Sequence, residues 1–334
     1  MKTLTISIAA YNMEKYIAKT LSSLIDEDVI DELEVFVVDD GGSDKTLEIA
    51  RDYAARFPAS IIPIHKENGG YGTTVNYSIS HATGRYFKCL DGDDWFDSEG
   101  LVKLVRELKM SESDVVVTPH FFGPEGGTMR LGAVRREGNS DEMLISQMKL
   151  KSIPPIGMWD IAYRTEMLKC SGLNMPAHTL YSDQYFATIP FATAKTIRFL
   201  NFPVYCYRVG RDGQSVTRDS RMGHKQEMLD ICRELCKFSE EQRKSNAINY
   251  QYILHKAAGY HLTAYRTIIL GPVCVKTLKE LKRYEKECRD IARNVYKYSV
   301  RMRVTSSRVL RVFRITGYAA YWLLKFLPGG APNF

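Results

Sequence analysis

The chain has 334 residues, 45% hydrophobic and 25% charged, a globular mixture that excludes a disordered or collagen-like polymer. That length suffices for one large domain or two modest ones. Lys and Arg number 46 against 39 Asp and Glu, a net charge of +7, but residues 276–325 alone hold 14 basic and 4 acidic side chains. A slightly acidic body therefore precedes a basic tail, which excludes a uniformly basic protein that coats nucleic acid.

In chain order, Leu4–Ala9 alternates as a strand, and Glu14–Ile25 carries helical spacing at Tyr16, Ile17, Leu21, Leu24 and Ile25. Leu33–Val38 is a more fully apolar strand, ending in Asp39-Asp40-Gly41-Gly42. Ser43 or Asp44 is placed to cap a helix over Lys45–Phe57. A strand over Ser60–Ile64, a glycine-rich turn, a helix over Thr73–His81 and a strand over Tyr86–Leu90 follow. Glu99–Lys109 reads as a helix and Val115–Thr118 as a further apolar run. This alternation predicts an α/β fold with a mainly parallel sheet and helices on both faces. Ligands of such sheets bind beyond the carboxyl ends of the strands, where the polar clusters of this sequence fall.

Residues 120–225 are mixed and loop-rich. Beyond them the pattern predicts helices over Lys225–Phe238, Ala247–Leu270 and Thr277–Met302, with a turn at Gly271-Pro272. The expected division is a catalytic domain over 1–225 and a helical region over 226–334. The N-terminal residues contain no apolar signal-peptide core, so no export is expected and the seven cysteines are expected to be reduced. Cys232 and Cys236 lie one helical turn apart without a partner at zinc-site spacing, and are read as buried structural thiols. No stretch reaches the roughly 18–20 apolar residues of a membrane span.

Two acidic clusters stand out. Asp39-Asp40 ends an apolar strand, where an Asx-turn with a helix cap is the plain alternative to a binding role. Asp91-Gly92-Asp93-Asp94-Trp95 follows another strand. Three carboxylates within four residues repel one another unless a cation such as Mg²⁺ or Mn²⁺ neutralises them. Gly92 lets the backbone approach a ligand there, and a solvated acidic turn is the plain alternative.

Together, Ile8-Ala9-Ala10-Tyr11-Asn12, Val37-Val38-Asp39-Asp40-Gly41-Gly42-Ser43-Asp44 and Leu90-Asp91-Gly92-Asp93-Asp94-Trp95 resemble the family 2 inverting glycosyltransferases of the GT-A fold. The resemblance covers about residues 1–225. It implies that Ala9 and Tyr11 line a base pocket, with the Tyr11 ring against uracil, and that Asp40 accepts the uracil N–H. Asp91 and Asp93 match the DxD element. Asp93 would ligate Mn²⁺ or Mg²⁺, Asp91 would reach the ribose or the metal, and Asp94 would cap a helix or orient its neighbours. In the turn His65–Thr74, Asn68, Gly70 and Gly72 match, Gly70 facing the donor, while the family's basic residue is replaced by Tyr71, Thr73 or Thr74.

Inverting transfer requires a base for the acceptor hydroxyl. Tyr181-Ser182-Asp183-Gln184-Tyr185-Phe186 matches the family's acidic motif, with Ser182 in place of Glu, and makes Asp183 the expected base. A helix N-cap is its structural alternative. Trp159 is expected either to stack on a sugar or to pack in the core. Arg211 and Ser215 are expected to clamp the donor diphosphate, against the alternative of an exposed basic loop. His224 is not expected to ligate metal.

The tail, about 291–327, carries no acid and spaces Arg308, Arg311 and Arg314 among apolar residues. It reads as a basic amphipathic segment on an anionic bilayer surface, or as a helix packed on the body. No recognised nucleic-acid module accompanies it. The expected whole is a metal-dependent enzyme at the inner face of the cell membrane. It would move a sugar from a UDP-sugar to a glycan or lipid-linked acceptor in bacterial cell-surface polysaccharide synthesis. The rivals are a non-catalytic scaffold and a nucleotidyltransferase on a similar sheet. The second would need a glycine-rich basic loop after the first strand, and Ala9–Glu14 does not supply one.

Overall fold

A computed structural model describes residues 1–124, 126–132, 141–150, 156–211, 214 and 217–326. The chain forms two compact units, Met1–Met148 with Ser152–Asp212, and Lys149–Lys151 with Gly213–Phe334.

In the first unit the strands are β1 (Leu4–Ala10), β2 (Leu33–Asp39), β3 (Ile61–His65), β4 (Tyr86–Asp91), β5 (Trp95–Phe96), β6 (Val115–Val117), β7 (His120–Gly123), β8 (Arg130–Leu131), β9 (Met143–Leu144), β10 (Ile161–Arg164), β11 (Thr196–Phe199) and β12 (Tyr205–Arg208). Its helices are α1 (Ile17–Ser22), α2 (Thr46–Arg56), α3 (Tyr71–His81), α4 (Ser98–Met110), α5 (Thr165–Lys169) and α6 (Asp183–Phe186). An eight-stranded sheet runs β3-β2-β1-β4-β10-β6-β11-β9, and a four-stranded sheet runs β5-β12-β7-β8. The β3-β2-β1-β4 half is parallel, and β10 enters antiparallel between β4 and β6.

The expected α/β architecture is observed. Leu4, Ile6 and Ile8 of β1 pack with Ile17 and Leu21 of α1 and Leu101, Leu104 and Leu108 of α4 in one core. The small sheet was not expected. Its strands are two to four residues long, too short for an alternating pattern to show.

Local differences have local causes. α1 begins at Ile17 because the amides of Met13 and Glu14 bond to Thr46 Oγ1 and Asp44 Oδ2 instead. Asp44, not Ser43, secures the start of α2 by accepting from the Thr46 amide and hydroxyl. α3 starts two residues early, at Tyr71 after Gly70. Gly70 holds φ +81°, and a Cβ there would meet the His178 amide nitrogen at 3.0 Å.

The second unit holds α7 (Arg218–Gly223), α8 (Lys225–Lys244), α9 (Tyr250–Ile269), α10 (Val275–Ile291), α11 (Arg293–Ser299), α12 (Thr305–Ile315) and a 3₁₀ segment, Ala319–Phe326. The single helix expected over Thr277–Met302 is divided at buried Ala292, whose φ −141°, ψ 83° lies outside the helical region. The tail packs within this unit through Leu310, Phe313, Tyr321 and Leu324. Arg314 forms a buried pair with Glu285 of α10, at 2.6 Å and 3.0 Å. Among the described residues, no helix is long and apolar enough to cross a membrane.

Candidate active site

Parallel pairing places the carboxyl ends of β1, β2 and β4 side by side. Ala10 lies opposite Asp39, and Ala9 lies opposite Asp91. The amides of Asp40 and Gly92 donate to the carbonyls of Ala10 and Ala9 at 2.8 Å and 3.0 Å. A Cβ on Gly92 would stand 2.9 Å from the Ala9 carbonyl oxygen, so only glycine allows this approach. Tyr11 follows with its ring about half exposed. Three elements far apart in sequence therefore meet at one rim.

The paired acids after β2 differ in role. Asp39 Oδ2 lies 2.7 Å from His65 Nδ1, and its Oδ1 accepts from the Gly42 amide, the turn-forming arrangement. Asp40 is buried and gathers the glycine turn. Its Oδ1 accepts from Lys66 Nζ at 2.5 Å and the Gly69 amide at 3.0 Å, and its Oδ2 from the Gly70 amide at 2.7 Å. Lys66 also donates to Thr73 Oγ1 at 2.9 Å. A basic side chain, Lys66, thus reaches the start of α3 from five residues before that helix. Spacing alone missed it.

After β4, Asp91 is a strongly perturbed acid. Burial, then the charges of Asp93 and Asp183, push its carboxyl up to about 7, while the phenols of Tyr71 and Tyr205 oppose the rise. Asp91 Oδ1 is buried and has no hydrogen-bond partner among the described residues. An orphaned carboxylate oxygen beside a second carboxylate fits a hard, oxygen-seeking cation, so Asp91 and Asp93 suit Mg²⁺ or Mn²⁺. Asp93 pairs with Arg211 through Oδ2. Asp94 is buried and faces away. Its Oδ2 accepts from the Tyr205 phenol and its Oδ1 from the Arg208 amide, both at 2.7 Å. It therefore ties the acidic turn to β12, while Asp97 caps α4. Burial, then Asp91 and Asp93, also raise the Asp94 carboxyl.

Asp183 is the first residue of α6, after Ser182, and Gln184 Nε2 donates to its Oδ2 at 2.8 Å. It is therefore not the N-cap. Its charge is felt at Asp91 and at the Tyr71 phenol, which burial, followed by Asp91, raises. The preceding Tyr181 holds φ +60°, a conformation uncommon for a bulky residue. The Tyr71 phenol feels the charges of both Asp91 and Asp183 and lies 2.5 Å from Met158 Sδ.

Fully buried Lys88 underpins the site. Its Nζ donates to the Trp159 carbonyl at 2.6 Å, and burial lowers the ammonium to about 8. Trp159 packs against the core and stacks on Tyr207 with centroids 5.6 Å apart. Asp160 accepts from the Gly157 amide and pairs with His120 at 2.7 Å. Lys88 carried no local signal, and the segment from Tyr205, though similar to the family's after the acceptor site, did not announce that Tyr205 and Arg208 would hold Asp94, since a side chain in a strand reveals its partner only after folding. His224 belongs to the helical unit, 2.7 Å from Glu227. Ser215 lies outside the described residues.

Known proteins share the sequence pattern and the fold. The sequence profile of Glycosyl transferase family 2 matches residues 5–172. The glycosyltransferase EpsH of Bacillus subtilis (strain 168), described as putative, is 28% identical over 208 residues, 60% of this chain and 59% of EpsH. The poly(ribitol-phosphate) beta-N-acetylglucosaminyltransferase TarS of Staphylococcus aureus (strain Mu50 / ATCC 700699) is 26% identical over 219 residues, 65% of this chain and 37% of TarS. The match thus spans less than two thirds of each of these relatives. The crystal structure of S. aureus TarS 1–349 superposes with a TM-score of 0.67 at 21% identity, covering 95% of this chain and 92% of that one. The same TarS segment in complex with UDP-GlcNAc aligns at a TM-score of 0.59 and 22% identity, covering 89% and 91%. At such identity these structures speak for the fold, which is GT-A. With half of its length matched by the family profile, over the very residues that build the strand-end rim, the chain belongs to glycosyl transferase family 2.

Proposed function

We propose that this chain transfers a sugar, with inversion, from a UDP-sugar to a hydroxyl of a glycan or lipid-linked acceptor in bacterial cell-surface polysaccharide or teichoic-acid assembly. The observation that carries this reading is the orphaned Asp91 oxygen at a rim shared with Ala9 and Asp40 and within the field of Asp183. Ala9, Tyr11 and Asp40 receive the uracil base, and Gly70 brings the backbone of the turn to the donor. Asp93 and Asp91 hold Mn²⁺ or Mg²⁺, which would neutralise charge on the departing diphosphate. Arg211 clamps that diphosphate. Asp183 accepts the proton of the acceptor hydroxyl. The UDP-GlcNAc complex of TarS and the poly(ribitol-phosphate) acceptor in its name support the donor and acceptor classes.

We place the enzyme at the inner face of the cell membrane, held by its tail. Arg301, Arg303, Arg308 and Arg311 are exposed there beside Ile315 and Leu323, in a stretch without acids from residue 291 onward. Exposed cations with exposed apolar groups suit an anionic bilayer surface.

The test is a screen of UDP-sugars for hydrolysis or transfer with Mn²⁺, in wild type and Asp93→Ala. Turnover that requires Mn²⁺ and disappears in the variant supports the reading. A wild type that binds UDP yet turns over none of the sugars, with any acceptor glycan, sinks it.

A further inference from the structure

The helical unit contains a cluster that the transfer reaction does not use. Cys232 and Cys236, one turn apart on α8, meet Cys288 of α10, and the three Sγ atoms lie within 4.8 Å of one another. All three side chains are fully buried. The Tyr284 phenol lies 3.0 Å from Cys232 Sγ and donates to the His261 carbonyl at 3.1 Å. Three thiols exceed what filling a helical core with small residues requires, and the third arrives from 52 residues beyond Cys236.

The chemistry of the cluster restricts its ligand. Thiolates select soft ions. Among the described residues no His, Asp or Glu joins the group, so the closed four-coordinate shell of structural zinc is not available. A pyramidal three-coordinate centre with bonds of about 2.3 Å to sulfur sets its sulfurs about 3.4 Å apart, within the 4.8 Å that spans the three Sγ atoms. Charge decides further. The groups acting most strongly on these thiols are one another and Tyr284, with no lysine or arginine among them. A monovalent or divalent ion on three thiolates would leave net negative charge in an apolar interior, which is costly. A trivalent ion leaves none.

We propose that Cys232, Cys236 and Cys288 form a trithiol site for a trivalent thiophilic ion of the arsenic and antimony class. Loading is ligand exchange without redox change. As(OH)₃ and three thiols give As(SR)₃ and three waters, each thiol proton leaving on a hydroxide. Three arsenic–sulfur bonds form and three arsenic–oxygen bonds break. Because the site is closed in the folded unit, entry follows local opening between α8 and α10.

The test uses the full chain, reduced and freed of reductant, with sodium arsenite as the probe. Native mass spectrometry should find one arsenic per chain with three protons lost, and thiols titratable after denaturation should fall from seven to four. X-ray absorption at arsenic should report three sulfur neighbours, and the melting temperature should rise. Cys170→Ser with Cys274→Ser should leave the adduct intact, and Cys288→Ser should remove it. The absorption measurement needs no variant, so a misfolded Cys288→Ser protein does not block the test. No adduct, a two-sulfur centre with an oxygen neighbour, or an adduct that survives in folded Cys288→Ser protein would overturn the proposal.

Discussion

Lys66 and Asp40 form a buried-edge ion pair at 2.5 Å, and through it the glycine turn after β3 is fastened to the end of β2. The same ammonium reaches Thr73 at the start of α3, so one cation organises the turn, the helix start and the acid expected to read the base. A charge-assisted hydrogen bond of this type orients as well as binds.

Lys66→Met should therefore loosen the Asp40 carboxylate without unfolding the unit. UDP affinity measured by calorimetry should fall about tenfold, equivalent to about 1.4 kcal/mol. Unchanged affinity would show that the two backbone amides hold Asp40 by themselves.

Asp183→Asn keeps the shape of the side chain and its place in α6 but removes the proposed base. Transfer should drop by about 10²–10⁴-fold while UDP binding persists. Equal loss of binding and rate would instead make Asp183 a structural residue.

Glu285 gives the helical unit an acid-sensitive anchor. Burial favours the neutral acid, but the His261 ring 3.1 Å away and the hydrogen-bonded Arg314 guanidinium outweigh it and hold the carboxyl at about 2, against an ordinary 4.5. A folded value below the unfolded one means the stabilisation is complete above about 4.5 and is lost as pH falls toward about 2, a span of about 3 kcal/mol. Urea unfolding followed by circular dichroism should show wild type losing stability across that window more steeply than Glu285→Gln. Arg314→Met, which strands the buried carboxylate, should cost about 3–5 kcal/mol at neutral pH. Parallel pH profiles for wild type and Glu285→Gln would contradict this.

The tail prediction separates surface charge from packing. Arg301, Arg303 and Arg308 are exposed, whereas Arg314 is committed to Glu285. Replacing the first three by Glu should abolish sedimentation with vesicles rich in anionic lipid while leaving the melting temperature within a degree or two. Each basic residue contributes about 1 kcal/mol at such a surface. Sedimentation that survives the reversal would argue against a membrane role.

Much of the catalytic unit was legible because its signals are local. An apolar run ending in Asp-Asp-Gly-Gly or Asp-Gly-Asp-Asp marks a strand end wherever it folds, and all four parallel strands lie within one or two residues of their expected bounds. The small sheet, the break at Ala292 and the partners of Lys66, Lys88 and Asp94 were not legible. Each depends on a neighbour 25 or more residues away or on a backbone angle that composition does not announce.

By itself the sequence determined the strand–helix order, the residues at the strand ends and the placing of positive charge in the tail, since periodicity and side-chain chemistry act over a few residues. Only the tertiary structure decided which of those residues meet. Parallel register set Ala9 against Asp91 and Ala10 against Asp39. Packing brought the charge of Asp183 to bear on Asp91, turned Asp94 onto Tyr205, and set Cys288 beside Cys232 and Cys236. The physical reason is that contacts distant along the chain are fixed by how whole elements bury their apolar faces, which no short window of sequence contains.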